Sequence, residues 1–428
     1  MEPRKEALRD ALETVRRRTL WLLGLVPDEF LKVRVHSFYS PIGWHFGHVG
    51  RTEEYWVSHK AMGRPVIDDQ LSFLFADLPE NPKDNRVNLP SRDQIVQYLA
   101  DTRRRSLVDL EAAALDDQDS FLREGYAWDF AMQHECQHQE TICEMLQLIR
   151  LKEPQEVSQE PAPWPEPRAE EYVAISGGVF EMGSNSTCVY DNEKRAHEVV
   201  VGEFRLSKTL VTVSHWLAFM KDGGYSRPEL WSGAGWAWKC TEEASMPEYW
   251  RATKQGFIAI GCLGVRQMRP NEPVGSISWY EAEAYLTWRG KRFPTETEWE
   301  YAAGRSDSRK PNRPFPWGFE PPNGATAVFG IDSWGPEPVG SKSCGASTDG
   351  ILDLAGNMWE WTSSAFLPYP GFEAFPYDGY SKDHMEGLHK VCRGGSWATA
   401  GPILRRTFRN WYVPTYRQGF LGLRCADD

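Results

Sequence analysis

The chain has 428 residues, 41% hydrophobic and 25% charged, with a formal net charge of -12 at pH 7. That length is too great for one hydrophobic core and predicts two or three domains of an ordinary globular kind. The acidic balance, with no long basic run, argues against nucleic acid or an anionic membrane surface as partner, and no apolar run approaches a membrane span. Met1–Glu6 lacks the apolar core of a signal peptide, and the eight cysteines show no CxxC spacing. Reduced, mostly buried thiols in a cytoplasmic protein are the expectation.

In chain order, Leu8, Ala11, Leu12, Val15, Thr19 and Leu22 follow the 3.6-residue period of an amphipathic helix. A second helix is predicted from about Pro41 to Lys60, with proline near its start. A third follows Asn88-Leu89-Pro90-Ser91, where Ser91 caps a stretch carrying Ile95, Tyr98 and Leu99. A fourth runs from about Ala127 to Leu151. Four facing helices over 1–151 make a bundle, whose core is a recurring place for metal sites. Residues 152–170 are rich in proline and glutamate and read as an extended linker. Residues 171–428 read as short strands and Gly/Pro turns pinned by tryptophans, with a clear helix over Trp279–Trp288 that ends in Arg289-Gly290.

Two histidine pairs stand out in the bundle. His134 and His138, at i and i+4, place two imidazoles on one helix face, and His45 and His48 form a second pair in Gly43-Trp44-His45-Phe46-Gly47-His48. A third imidazole from the second pair would complete three protein ligands and leave positions open for chemistry. Alone, His45 and His48 would read as hydrogen-bonded core histidines; beside His134 and His138, metal ligation is the better reading. Three imidazoles without a carboxylate suit iron, copper or zinc about equally. His134-Glu135-Cys136-Gln137-His138 also matches HExxH, with Glu135 as a protease base. The extended protease pattern is absent, however: Thr141 and Glu144 stand where Gly and His belong.

The second domain carries four motifs. They are Ile175-Ser176-Gly177-Gly178-Val179-Phe180-Glu181-Met182-Gly183-Ser184, Arg292-Phe293-Pro294-Thr295-Glu296-Thr297-Glu298-Trp299-Glu300, Asp353-Leu354-Ala355-Gly356-Asn357-Met358-Trp359-Glu360-Trp361 and Arg393-Gly394-Gly395-Ser396-Trp397. Physically they read as a strand at a glycine pair, a helix start after proline with acidic residues in its first turn, and two turns closed by tryptophan. Most of these residues are expected to be framework.

Together the four motifs resemble the formylglycine-generating-enzyme-like (sulfatase-modifying factor) domain, a C-type-lectin-related fold. The WHxxH and HExQHxE segments resemble the DinB-like four-helix bundle. In this order, over nearly the whole chain, they resemble the nonheme iron sulfoxide synthases of ergothioneine biosynthesis. The resemblance implies an Fe(II)- and O2-dependent oxidoreductase that joins C2 of the imidazole of N-alpha-trimethylhistidine (hercynine) to a thiol, with sulfoxidation. It implies His48, His134 and His138 as metal ligands, with His45 beside them, and Gln137, Asn410 and Trp411 as hercynine contacts.

Two departures bear on the thiol. Members that take gamma-glutamylcysteine carry an RxxR pair between bundle helices and an aspartate directly after the Asn-Trp. Here the loop reads Lys83-Asp84-Asn85-Arg86, and Tyr412 follows Trp411. Losing a carboxylate partner and a bidentate fork points to free cysteine, with Lys83 and Arg86 near its carboxylate. The family's proton-delivering tyrosine falls in the region of Tyr369, Tyr377 and Tyr380. The alternative is the selenoneine synthase branch, which joins hercynine to a selenosugar. A non-catalytic lectin-like module or a true formylglycine-generating enzyme fits less well, since neither needs the bundle's histidines. No ligand loop for a structural Ca2+ stands out.

Overall fold

The computed structural model describes residues 2–115, 118–153, 169–304 and 313–428, and the chain divides into two compact units, Met1–Glu153 and Pro154–Asp428. Within the Pro/Glu-rich segment expected to be a linker, residues 154–168 lie outside the described residues. Glu170, at its end, is anchored: its carboxylate accepts from Arg289 Nη2 at 2.8 Å and Tyr172 Oη at 2.9 Å.

The first unit is helical: α1 (Glu2–Gly24), α2 (Ile42–Glu53), α3 (Asp69–Leu74), α4 (Arg92–Ala112) and α5 (Tyr126–Lys152). α1 buries Leu8, Leu12, Val15, Thr19 and Leu22, the face its periodicity marks, together with Arg16. α4 begins at a capping box in which Ser91 N–H donates to Gln94 Oε1 at 2.9 Å and Gln94 N–H to Ser91 Oγ at 3.3 Å. α5 is buried on nearly every side, so it lies at the centre, packed against α1 and α2. α2 departs from the expected regular helix. It ends at Glu53 and continues over Glu54–Ala61 as a wider π-helical stretch. There the buried Glu54 accepts from Tyr98 Oη at 2.8 Å and Ser58 Oγ donates to Asp109 at 2.7 Å.

A second polar layer lies inside the bundle. Arg16 Nε and Nη2 meet Glu135 Oε1 and Glu53 Oε2, each at 2.8 Å, and Arg103 Nε and Nη2 meet Glu53 Oε1 at 2.7 Å and Glu135 Oε2 at 2.9 Å. These four buried charges pin α1, α2, α4 and α5 together. Burial alone would raise the Glu135 carboxyl, but Arg16 and Arg103 override it and hold it at about 2.

The second unit is built of short strands: β1 (Tyr172–Ile175), β2 (Gly178–Met182), β3 (His197–Val201), β4 (Phe204–Ser207), β5 (Trp250–Ala252), β6 (Phe257–Gly261), β7 (Gly264–Arg266), β8 (Trp359–Ala365), β9 (Lys390–Arg393), β10 (Asn410–Tyr412), β11 (Leu421–Gly422) and β12 (Ala426–Asp427). They form small sheets in the orders β1-β4-β12, β10-β9-β8-β11, β2-β3 and β5-β6-β7. Among the described residues five helices accompany them: α6 (Val213–Lys221), α7 (Gly233–Thr241), α8 (Trp279–Arg289), α9 (Glu296–Gly304) and the single-turn α10 (Asp378–Ser381). α8 is capped by Ser278 with Glu281 and ends at Gly290 in the left-handed conformation (φ 62°). A core of Ile175, Phe180, Leu206, Trp299, Ile351 and Leu354 lies between sheets and α9.

The four sequence motifs meet in this framework. Glu300 Oε1 accepts from Gly183 N at 2.9 Å and Arg406 Nη1 at 2.9 Å, while Glu300 Oε2 pairs with Arg393. Glu296 Oε1 takes Arg409 Nε at 2.7 Å and Arg393 Nη1 at 3.2 Å, and Gly356 N donates to Gly394 O at 2.8 Å. None of the eight cysteines is in a disulfide, and Cys136, Cys143, Cys262, Cys392 and Cys425 are buried. No helix among the described residues is long and apolar enough to cross a membrane.

Candidate metal centre

His48, on α2, meets His134 and His138, on α5, with one ligand-capable nitrogen from each within 4.8 Å of the others. Their ring centroids lie 5.0 Å (His48 to His134), 4.9 Å (His48 to His138) and 4.5 Å (His134 to His138) apart. The i, i+4 spacing on α5 supplies two rings on one face, and the crossing of α2 supplies the third.

The His48 ring is fixed from two sides. Trp44, one turn earlier on α2, stacks on it at 4.3 Å and 15°. His48 Nδ1 lies 2.7 Å from Phe75 O. A carbonyl can only accept, so Nδ1 donates and Nε2 keeps its lone pair, the tautomer a metal ligand needs. Gly47 makes this contact possible, because a Cβ there would sit 2.1 Å from Phe75 Cε1. His134 Nδ1 is buried with no hydrogen-bond partner among the described residues.

Burial, reinforced by the repulsion that protonating a ring beside His138 would bring, keeps His48 and His134 well below the ordinary imidazole range. His138 falls to about 4, lowered by burial and partly restored by Asp77 and Glu135. All three rings are therefore neutral at pH 7, and an incoming ion displaces no proton. Three neutral imidazoles, His48 and His134 buried and His138 half-buried, fit an N-donor transition metal such as iron, copper or zinc. His45 sits alongside, its Nδ1 3.0 Å from His138 Nδ1.

Glu135 lies outside the cluster. It is committed to Arg16, Arg103 and Thr19 Oγ1 (2.6 Å), and held at about 2 it cannot serve as the base the HExxH reading requires. Gln137 is half-buried on α5 just before His138. Lys83 Nζ donates to Phe38 O, and burial lowers its pKa. Arg86 is only 3% exposed and already bonded to Asn81 O, Ser40 Oγ and Asp77 Oδ1.

In the second unit, β10 carries Asn410, Trp411 and Tyr412, paired with Cys392, Val391 and Lys390. Strand alternation sends Trp411 to one face and Asn410 and Tyr412 to the other, where Asn410 Nδ2 donates to Tyr412 Oη at 3.2 Å. Trp411 stacks on Phe366 at 4.1 Å and 8°, with Tyr380 edge-on at 5.8 Å and His384 at 5.7 Å. Tyr412 stacks on Tyr416 at 4.2 Å. Tyr380 also stacks on Tyr190 at 4.4 Å, and Tyr377 is exposed beside it. Tyr369 is buried, its hydroxyl 3.4 Å from Glu296 and its ring beneath the Arg409 guanidinium.

Sequence reasoning missed the supports of His48. Trp44 was visible inside the WHxxH segment, but Phe75 acts through its backbone carbonyl and leaves no side-chain signal.

The sulfatase-modifying factor enzyme 1-like domain family matches residues 157–428, and the DinB superfamily matches residues 11–142. The chain is similar to a hercynine oxygenase of Mycolicibacterium smegmatis (strain ATCC 700084 / mc(2)155), 36% identical over 440 residues and covering 99% of each chain. The hercynine oxygenase of Mycolicibacterium thermoresistibile is 37% identical over 439 residues, covering 100% of this chain and 96% of its own. That of Mycobacterium tuberculosis is 37% identical over 433 residues, covering 99% of each.

Proposed function

The chain belongs to the hercynine oxygenase family, and on that premise we propose that it forms a C–S bond between hercynine and cysteine with sulfoxidation. The observation that carries the reading is the cluster of three neutral imidazoles, the buried His48 and His134 and the half-buried His138. In this reading they hold Fe(II), which when bound supplies the redox coupling to dioxygen. The reaction balances as hercynine C2–H plus R–SH plus O2 giving the C2–S(O)–R sulfoxide plus water. One oxygen atom goes to sulfur, and the other leaves with the two hydrogens.

The remaining assignments are made residue by residue. Gln137, half-buried beside His138, is a hercynine contact from the bundle. Asn410 and Trp411 serve the same substrate, with Trp411 offering aromatic surface to a quaternary ammonium. Lys83, with a lowered pKa and partial burial, serves the cysteine carboxylate. Tyr412, stacked on Tyr416, replaces an acidic side chain and removes a partner for a glutamyl ammonium. Among the tyrosines, Tyr377 and Tyr380 suit proton delivery better than Tyr369. Burial pushes the Tyr369 phenol up, and its hydroxyl is directed at Glu296.

Product analysis by mass spectrometry tests this reading. The chain, reconstituted anaerobically with Fe(II), receives hercynine and oxygen with cysteine, gamma-glutamylcysteine or a selenosugar in separate reactions. A cysteine sulfoxide adduct is expected. A selenium adduct alone would move the chain to the selenoneine branch, and no adduct with any partner would overturn the reading.

A further inference from the structure

We propose that Arg86 is a positioning residue for the metal ligand His48, acting through Trp44 and the loop around Phe75, and is not a clamp for a substrate carboxylate. The inference rests on the reading of His48 as a ligand. It runs against the role that the family resemblance implies for position 86.

A guanidinium presents five N–H donors in a fixed fork. In Arg86, Nε donates to Asn81 O at 2.8 Å, Nη1 to Ser40 Oγ at 3.0 Å and Nη2 to Asp77 Oδ1 at 2.6 Å. Its planar face lies 4.4 Å from the centre of the Trp44 ring. All three nitrogens are therefore engaged on a side chain that solvent barely touches. Three of its five N–H donors are committed and the side chain is almost wholly covered, so a carboxylate arriving from solution would first have to displace the groups that bury it.

The same contacts lead to His48 along two routes. The first is the stack: Arg86 lies over Trp44, and Trp44 lies parallel to His48, with Trp44 Nε1 donating to Leu74 O at 2.8 Å. The second is the loop. Asn81, whose backbone carbonyl Arg86 holds, donates its side-chain amide to Phe73 O, Leu74 O and Ala76 O at 3.2, 2.8 and 3.0 Å. These bonds frame Phe75, whose carbonyl receives His48 Nδ1. Both constraints on the His48 ring, its covered face and its tautomer, thus trace back to one buried side chain. Removing such an outer partner typically costs about 10–100-fold in metal affinity.

The test uses the full-length apo chain titrated anaerobically with Co(II) and followed by its visible absorption. Steady-state kinetics of the Fe(II)-loaded chain with hercynine and cysteine accompany it. Arg86→Met is expected to weaken Co(II) binding about 10–100-fold and to change the visible bands, leaving the thiol KM within about twofold. Unchanged Co(II) affinity and bands with a thiol KM raised about tenfold or more would overturn the proposal, because a carboxylate clamp behaves that way. Should Arg86→Met fail to fold, Asp77→Ala removes one partner of Arg86 at an exposed side chain. Its expected effect is a several-fold loss of Co(II) affinity, and no change in affinity or spectrum would sink the idea. His48→Ala separates the two readings. If it leaves Co(II) binding intact, the metal-site assignment itself fails; if it abolishes binding while Arg86→Met does not weaken it, only the role of Arg86 fails.

Discussion

Two buried polar assemblies in this chain are built on opposite principles. In the bundle, His48, His134 and His138 converge as neutral groups, and His134 Nδ1 has no hydrogen-bond partner among the described residues. In the second unit, Glu296 and Glu300 converge with Arg393, Arg406 and Arg409 as charged groups matched to one another and to backbone. A buried charge left alone is strongly destabilising, so the carboxylates and guanidiniums of the second assembly are paired with one another and serve the fold. A neutral imidazole tolerates burial without a partner, so the first can stay incomplete and remain available to a ligand. Whether a buried polar cluster is built of mutually paired charges or of neutral lone-pair donors separates framework from chemistry here.

The largest expected effect comes from breaking the neutral assembly. His138→Ala should abolish stoichiometric metal binding and turnover while the apo chain keeps its circular dichroism; metal analysis and product formation check this. Breaking the charge-paired assembly should do the reverse. Glu300→Ala strands Arg393 and Arg406 and is expected to destabilise by about 3–5 kcal/mol, measured by denaturant unfolding of the chain.

Acid sharpens the comparison. Glu135 sits at about 2 in the folded bundle against about 4.3 unfolded. Its pairing stabilises the chain fully above the unfolded value and is lost as pH falls from about 4.5 toward 2. Urea midpoints measured across that window should fall less steeply in Glu135→Gln than in the parent chain.

Smaller effects belong to the substrate side chains. Trp411→Ala should raise the hercynine KM about tenfold while moving the cysteine KM little, as kinetics with each substrate varied would show. Tyr369→Phe should change kcat less than threefold, because its hydroxyl serves Glu296; a collapse of kcat would make it the proton donor instead.

Much of the architecture was legible because it rests on local rules. The apolar period of α1, the Ser91 cap of α4 and the Gly290 stop of α8 each appear in a few adjacent residues. The i, i+4 histidines were legible for the same reason. The break in α2 after Glu53 was not, since the π-helical stretch answers to tertiary partners such as Tyr98 and Asp109. Nor was the splitting of Asn410 from Trp411 across β10, because neighbours in sequence become opposites once a strand forms. The state of Arg86 was equally hidden. An arginine in a loop reads as a free cation until its partners at Ser40, Asp77 and Asn81 are seen.

The junction at Glu300 has a consequence for how such chains are recognised and reused. Gly183, Glu296, Glu300, Gly356, Arg393 and Gly394 are held by one another, so the signature they spell certifies an assembled scaffold and is silent about chemistry. A chain could keep every letter of it, lose the bundle's histidines, and persist as an inert display surface. A designer wishing to transplant a different activity onto this scaffold would leave those positions untouched and write the new chemistry elsewhere.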